Sequence, residues 1–348
     1  MDIKTTQWSV YRVVAAALFC CALFVYGAFL LFEPQLISLI ERSQAAALHI
    51  FSQEPRSEDI GTLALTPFNT TSSPKTSTKM KMTFHDEFNA LSRYLDANGN
   101  VSCASGGKGT WQTVYNFCSR TQFGNNEEQV YTDPGFLAYL KKESATSSEV
   151  DPDNPFSVSR GVLAIKAAPS SLAVQKAAGS WAKYTSGLIT TQFSFTQTYG
   201  YFEARMKVPA GAGLWPAFWL LPIDETWPPE VDAMETFGDV GVTGEGGRSK
   251  IHYASHALTK DASCGVWYDA GVDLTSDFHV YGVNVEQDVI TYYLDRKPYA
   301  VCQANPDAHK PFYMLLNLAV GGWPGSPTAQ TKWPAYLYID YVRAYQKI

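Results

Sequence analysis

Between residues 228 and 237 the chain reads "PPEVDAMETF", which crowds three carboxylates, Glu230, Asp232 and Glu235, into six positions. Like charges among apolar neighbours repel one another and resist desolvation, so the arrangement needs a use. Side chains on a strand alternate between faces, which puts Glu230 and Asp232 on one side. Strict alternation would send Glu235 to the other side, and one extra residue after Asp232, as in a β-bulge, would return it. The outer Cα atoms then lie ~13 Å apart at a strand rise of ~3.3 Å. Two glutamates leaning inward on a curved sheet could close their carboxyls to about 5 Å, the separation at which a pair attacks an acetal carbon from both sides. One member would be a nucleophile, the other an acid and then a base. Asp232 between them can hydrogen-bond the nucleophile and hold its rotamer, and the shared negative field raises the pKa of the proton donor. A solvated acidic strand face or a cation site would leave the same pattern in these residues alone.

Residues so placed need a sheet beneath them, and the surrounding chain supplies one. From about Met80 to Ile348 the sequence consists of short alternating runs bounded by Gly, Pro and Asn, among them "GVLAIKA", "YGYFEARMKV", "VITYYLD" and "PFYMLLNLAV". Many short strands without a long amphipathic helix or a fixed repeat predict an all-β, antiparallel β-sandwich. With 348 residues, 46% of them hydrophobic, one large domain plus an extension is expected. The net charge of -6 excludes a phosphate-binding face, hence nucleic acid as a partner. Aromatics at 14% suit both a β core and flat surfaces for sugar rings, which composition cannot separate.

The amino-terminal part is different. Residues 13–32, "VVAAALFCCALFVYGAFLLF", carry no charge and are long enough for one transmembrane helix. Residues 1–12 form a short cytoplasmic tail on this reading, because Lys4 and Arg12 precede the apolar run. A cleavable signal peptide is the rival, with the protein then secreted, but its apolar stretch is shorter and ends at a small-residue site that does not stand at the right distance. An uncleaved anchor with the bulk of the chain outside the cytoplasm is therefore expected. Residues 33–79 read as stalk and linker, helical in spacing at first and then rich in Ser, Thr and Pro, and residues 80–348 as the catalytic domain. Four cysteines lie beyond the anchor; Cys103 with Cys118 and Cys264 with Cys302 is one of three pairings open to them in an oxidising compartment.

The stretch "SGLITTQFSFTQTYGYFEARMKVPAGAGLWPAFWLLP", followed by "PPEVDAMETFGD", resembles glycoside hydrolase family 16, the β-jelly-roll (concanavalin-like) endoglucanases that include laminarinases and lichenases. "FHDEFN", "NNEEQVYT", "KIHYASH", "PFYMLLNLAVGGWPG" and "YIDYVRAYQ" fit in order, so the resemblance covers about residues 80–348. It implies that Glu230 is the nucleophile, Asp232 the assisting acid and Glu235 the acid/base of an endo-acting, retaining hydrolase of a β-glucan or related polysaccharide. A transglycosylase shares the first step, and a carbohydrate-binding protein without turnover would share the fold. Members usually carry Gly before the nucleophile, where this chain has Pro229, a residue tolerated at a strand's start.

The resemblance further implies cleft-wall positions for Trp215 and Trp219, where isolated tryptophans would read as core, and hydroxyl contacts for Asn126 and Asn317, where Asn alone would read as a turn cap. Trp323 in "GGWPG" stands in a turn, where a sugar-stacking role competes with burial. Arg205 in "FEARMK" is expected near the acids, a surface ion pair being the alternative. His252 and His256 sit four apart near Cys264, but four strand residues span ~13 Å, too far to share a zinc ion. No metal is assigned to the site; His252 resembles the polar residue beside the acid/base. Asp340 resembles a position that holds a structural calcium in relatives, though a buried hydrogen-bonded Asp would look identical. No other cofactor is expected, and the catalytic domain is expected to be monomeric.

Overall fold

The computed structural model describes residues 62–66, 78–137, 151, 153–259 and 263–348. The apolar run 13–32 lies outside them, as does most of the stretch 33–79. Among the described residues no helix is long and apolar enough to cross a membrane.

The early strands are β1 (Thr62–Leu65), β2 (Thr78–Asp86), β3 (Gln129–Tyr131), β4 (Phe156–Ser159), β5 (Val162–Pro169), β6 (Tyr184–Ser186) and β7 (Leu188–Thr190). The central ones are β8 (Gly200–Lys207), β9 (Leu214–Pro222), β10 (Glu230–Glu235), β11 (Lys250–His256) and β12 (Cys264–Asp269). The last are β13 (His279–Val285), β14 (Val289–Leu294), β15 (Lys297–Gln303), β16 (Phe312–Val320) and β17 (Ala335–Lys347). They form two sheets. One runs β12-β11-β10-β9-β16-β7, and the other runs β15-β14-β13-β8-β17-β5-β6-β3, with β2 beside β17, β1 beside β2 and β4 beside β5. β1 thus places Thr62–Leu65, within the stretch read as linker, in the sandwich.

The expected sandwich is present, with one correction: it is not wholly antiparallel, since β3 pairs with β6 in parallel. Parallel neighbours need a long crossover. The chain between β3 and β6 provides it, carrying β4, β5 and the short helix Leu172–Ala178, whose cap Ser171 accepts the Val174 N–H.

The core lies between the sheets and follows from period-two alternation. On β16, Phe312, Met314, Leu316, Leu318 and Val320 enter it, together with Leu214, Phe218 and Leu220 of β9. Facing them from the other sheet are Leu163 and Ile165 of β5, Phe202, Ala204 and Met206 of β8, and Leu337 and Ile339 of β17. Every residue of β16 is buried, so its opposite face, with Tyr313, Leu315, Asn317 and Ala319, must be covered as well. That second face is the floor of the site. Two disulfides close Cys103–Cys118 and Cys264–Cys302, the pairing set out above.

The alternation on β8 that buries Phe202, Ala204 and Met206 turns Glu203 and Arg205 outward. Glu203 is fully buried there by a fork from Arg296, whose Nε and Nη2 donate to its two oxygens at 3.0 and 2.9 Å. Removing one partner of such a pair strands a charge without solvent. Arg296→Met should therefore lower unfolding free energy by about 3–5 kcal/mol, as read by denaturant titration at neutral pH.

Candidate active site

The carboxylates stand on β10 as they do because the strand is bulged. Across to β11, Asp232 pairs with Ala254 and Glu235 with His252, so three steps on β10 match two on β11. Across to β9, Asp232 pairs with Trp219 and Met234 with Phe218, so two steps match one. Ala233 and Met234, adjacent in sequence, both enter the core. The extra residue thereby returns Glu235 to the face of Glu230 and Asp232, and all three line one cleft of about 530 Å³.

Each outer glutamate has a tryptophan and a histidine beside it. Glu235 accepts the Trp215 indole N–H at Oε1 (3.0 Å), and its Oε2 lies 2.9 Å from His252 Nδ1. Glu230 accepts the Trp227 indole N–H at Oε2 (2.7 Å), and its Oε1 lies 4.0 Å from His256 Nε2. The same His256 nitrogen is 3.0 Å from Asp232 Oδ2. The register explains the symmetry, because Glu230 faces His256 and Glu235 faces His252 across the β10–β11 pair.

Burial, and then the charge of Asp232, push Glu230 well above the usual carboxylate range; His256 and the Trp227 N–H pull the other way. Burial, and then the charge of Glu235, push Asp232 up likewise. Glu230 and Asp232 therefore hold a proton between them more tightly than isolated carboxyls would. Depth favours the proton on Asp232, since desolvation penalises the charged form, while the hydrogen bond between the two carboxyls favours it on Glu230. The Asp232 side chain is 3% exposed, whereas that of Glu230 retains 18%.

Linkage gives this arrangement a stability signature. Asp232 titrates near its ordinary value in the unfolded chain and higher in the folded one, so the native state holds more protons in between. Stability then falls as pH rises through that window and stays reduced above it. Asp232→Asn, neutral throughout, should gain thermal stability over the parent at pH ~8 and gain less at pH ~5, as read by scanning calorimetry.

The floor and walls are aromatic. Trp219 donates its indole N–H to Asn317 Oδ1 (2.8 Å), and Asn317 Nδ2 donates to the Tyr131 hydroxyl (3.0 Å). Asn317 thus lines the cleft with its amide already engaged in holding Trp219. Trp323 stands edge-on to Trp215 and His252, with ring centroids 6.0 and 4.9 Å away, and its N–H donates to Glu245 Oε2. The turn carrying it needs glycine. Gly322 has φ of 75°, and a Cβ there would come 2.9 Å from both the Asn125 carbonyl and the Trp215 ring.

Residues 153–343 match Glycosyl hydrolases family 16. The chain belongs to this family. Family 16 relatives include an endo-1,3-1,4-beta-glycanase of Rhizobium meliloti (strain 1021), EglC, 39% identical over 269 residues, 76% of this chain and 52% of that protein. A second glycanase of that organism, ExsH, is 37% identical over the same shares. The chain spans about half the length of these curated relatives. Among solved structures, an endo-beta-1,3-glucanase from Pyrococcus furiosus superposes with a TM-score of 0.58 at 29% identity, covering 78% of this chain and 96% of that one.

The cleft brings together Glu230, Asp232, Glu235, Trp215, Trp219, His252, Asn317 and Trp323. It does not include Arg205 or Asn126. Arg205 points from the outer face of the other sheet, where its Nη1 lies 2.6 Å from Asp340 Oδ2 and its guanidinium covers the Phe278 ring. The place of β8 in the other sheet decides this, and the core lies between Arg205 and the acids. Asn126 is exposed, in the left-handed conformation that ends a short helical turn, and its neighbour Asn125 lines the cleft instead. Asp340 does not fit a calcium ion, since the Arg205 guanidinium already neutralises its carboxylate and would repel a cation there.

Sequence reasoning missed His256, Trp227 and Glu127 as cleft residues. His256 had a usable signal: two histidines four apart on an unbulged strand match two glutamates five apart on a bulged neighbour. Trp227 and Glu127 had none, because each reaches the cleft through a loop-borne turn of the chain rather than a periodic pattern.

Proposed function

We propose that this chain is an endo-acting, retaining hydrolase of internal β-glycosidic bonds in a β-glucan or related polysaccharide. The observation that carries the reading is the bulge in β10, with Ala233 and Met234 both turned into the core and the three acids into one aromatic cleft. The names of its family 16 relatives support the substrate class.

In the first step Glu230 Oε1 attacks the anomeric carbon while Glu235 gives its proton to the departing oxygen. The glycosidic bond breaks and an ester to Glu230 forms. Glu235, now a base, takes a proton from water, which attacks the same carbon and releases Glu230 as carboxylate. Two inversions give net retention. His252 and Trp215 hold Glu235 in place for both proton transfers, and Asp232 shares a proton with Glu230 through their hydrogen bond.

The fold needs no cofactor for this sequence of steps, since every proton and electron pair is carried by substrate, water and the two glutamates. An anchored location outside the cytoplasm is part of the same proposal. It draws on the uncharged run 13–32 and on two disulfides, which persist in oxidising compartments. The full-length protein should then stay with membranes through an alkaline carbonate wash.

Reducing-end release from β-1,3- and mixed-linkage glucans, with the first-formed anomer followed by NMR, tests the reaction. A β-anomer formed first supports it. An α-anomer formed first rules out the two-step route, and cleavage of no glucan on a broad panel favours a binding protein.

A further inference from the structure

Trp227 is the most exposed tryptophan near the site, yet its one polar atom is turned inward to a buried carboxylate. The residue is 67% exposed, and its indole N–H donates to Glu230 Oε2 at 2.7 Å. Burial of apolar surface does not explain a ring so open to water. Its ring lies against the His256 imidazole, with centroids 6.3 Å apart and planes tilted by 37°.

The loop bearing Trp227, which joins β9 to β10, is tied down by side chains from other parts of the chain. Lys310 Nζ lies 2.8 Å from Asp224 Oδ2 and donates to Thr226 Oγ1 at 2.7 Å. Gln192 Nε2 donates to Glu225 Oε1 at 3.0 Å. Three consecutive loop residues, Asp224, Glu225 and Thr226, are therefore fixed immediately before Trp227.

The geometry points to Trp227 as a positioning residue for the nucleophile: its N–H occupies Oε2 of Glu230 and leaves Oε1 to attack. This rests on the hydrolytic reading above. The consequence is chemical as well as steric. When Oε1 bonds to the anomeric carbon, Oε2 becomes the ester carbonyl and keeps the indole N–H. When water displaces the ester, the same N–H receives the returning charge. A carboxylate hydrogen-bonded at Oε2 by an indole on an anchored loop is restricted in rotation, which favours a near-attack geometry for Oε1.

The groups that act on Glu230 or feel its charge are Asp232 on its own strand, His256 on β11, the Trp227 N–H, Tyr313 on β16, and Tyr115 from the loop before β3. Among these, His256 and the Trp227 N–H favour the charged carboxylate, while Asp232 opposes it. Loss of the N–H should therefore make Glu230 harder to ionise.

Trp227→Phe keeps a flat ring and deletes the donor. Against a β-glucan that the parent cleaves, kcat should fall about 10- to 100-fold with KM within about twofold of the parent's. The acid limb of kcat/KM should move to higher pH, and the rate of labelling by a fluorinated glycosyl inactivator should fall in step with kcat. Thermal stability should not change, given the exposure of the ring. A variant with the parent's kcat and acid limb, or one with raised KM alone, overturns the inference and leaves Trp227 as no more than a sugar platform. A parent that cleaves no β-glucan overturns the proposed function and this inference with it, so the two failures are told apart by the parent's activity.

Discussion

Glu230→Gln should reduce glucan cleavage by at least about ten-thousandfold, in line with removing a nucleophile from a site whose parts act as a unit. The amide matches the carboxylate in size and keeps an oxygen for the Trp227 N–H, so the aromatic cleft should survive. Affinity for a glucan oligosaccharide, measured by calorimetry, should stay within several-fold of the parent. The variant should also fold at least as stably. Glu230 is buried beside Asp232, and burial followed by that charge raises its proton affinity; a neutral amide removes both costs. A loss of binding equal to the loss of cleavage would mean that the substitution had damaged the cleft. Retained cleavage within about tenfold of the parent would remove Glu230 from the nucleophile's role.

Glu235→Ala should behave differently, because a proton donor matters only where a proton is needed. Cleavage of a glucan, whose leaving group is a poor one, should fall about 10²- to 10⁴-fold. An aryl β-oligoglucoside with an acidic phenol leaves without protonation, so its first step should remain fast. The glycosyl-enzyme would then accumulate, since no base is left to activate water. Azide needs no base and should restore turnover, attacking the anomeric carbon as Glu230 departs and giving a β-glycosyl azide. The hydrogen bonds that fix Glu235 in the parent, from Trp215 and beside His252, are part-buried contacts of the cleft wall, outside the core between the sheets. The fold should accordingly tolerate the change. Equal losses on both substrates, with no response to azide, would sink the acid/base assignment.

The two results are complementary. A site in which both losses were equal and neither variant answered to leaving group or azide would be an acidic groove for binding. Distinct responses at the two ends of one six-residue strand require the division of labour that the bulge makes available.

Much of this molecule is legible in its sequence because the controlling signals are local. Alternation in "PFYMLLNLAV" and "FWLLP" predicts strands, and the same alternation tells which residues go to the core once a face is chosen. "EVDAME" has an odd spacing that only an extra residue can reconcile with one shared face, so the bulge itself can be inferred before any coordinate is known. The errors have equally local causes. Period two says that Glu203 and Arg205 share a side, but it does not say which sheet the strand joins, and β8 joins the sheet away from the cleft. Asn125 and Asn126 are indistinguishable as letters; the left-handed turn at Asn126 decides which of them looks into the groove. The parallel β3–β6 pair depends on strands more than fifty positions apart, beyond any periodic signal.

By itself the sequence determined the all-β architecture, the trio of acids on one face and the family, because each rests on spacing along a single segment. The tertiary structure alone decided the company those acids keep. His256, Trp227 and Trp215 reach Glu230, Asp232 and Glu235 from a neighbouring strand, a loop and a second strand, and strand order and register are settled by the packing of the whole core. Charge, proton affinity and orientation at the site follow from those long-range contacts, which no run of neighbouring residues encodes.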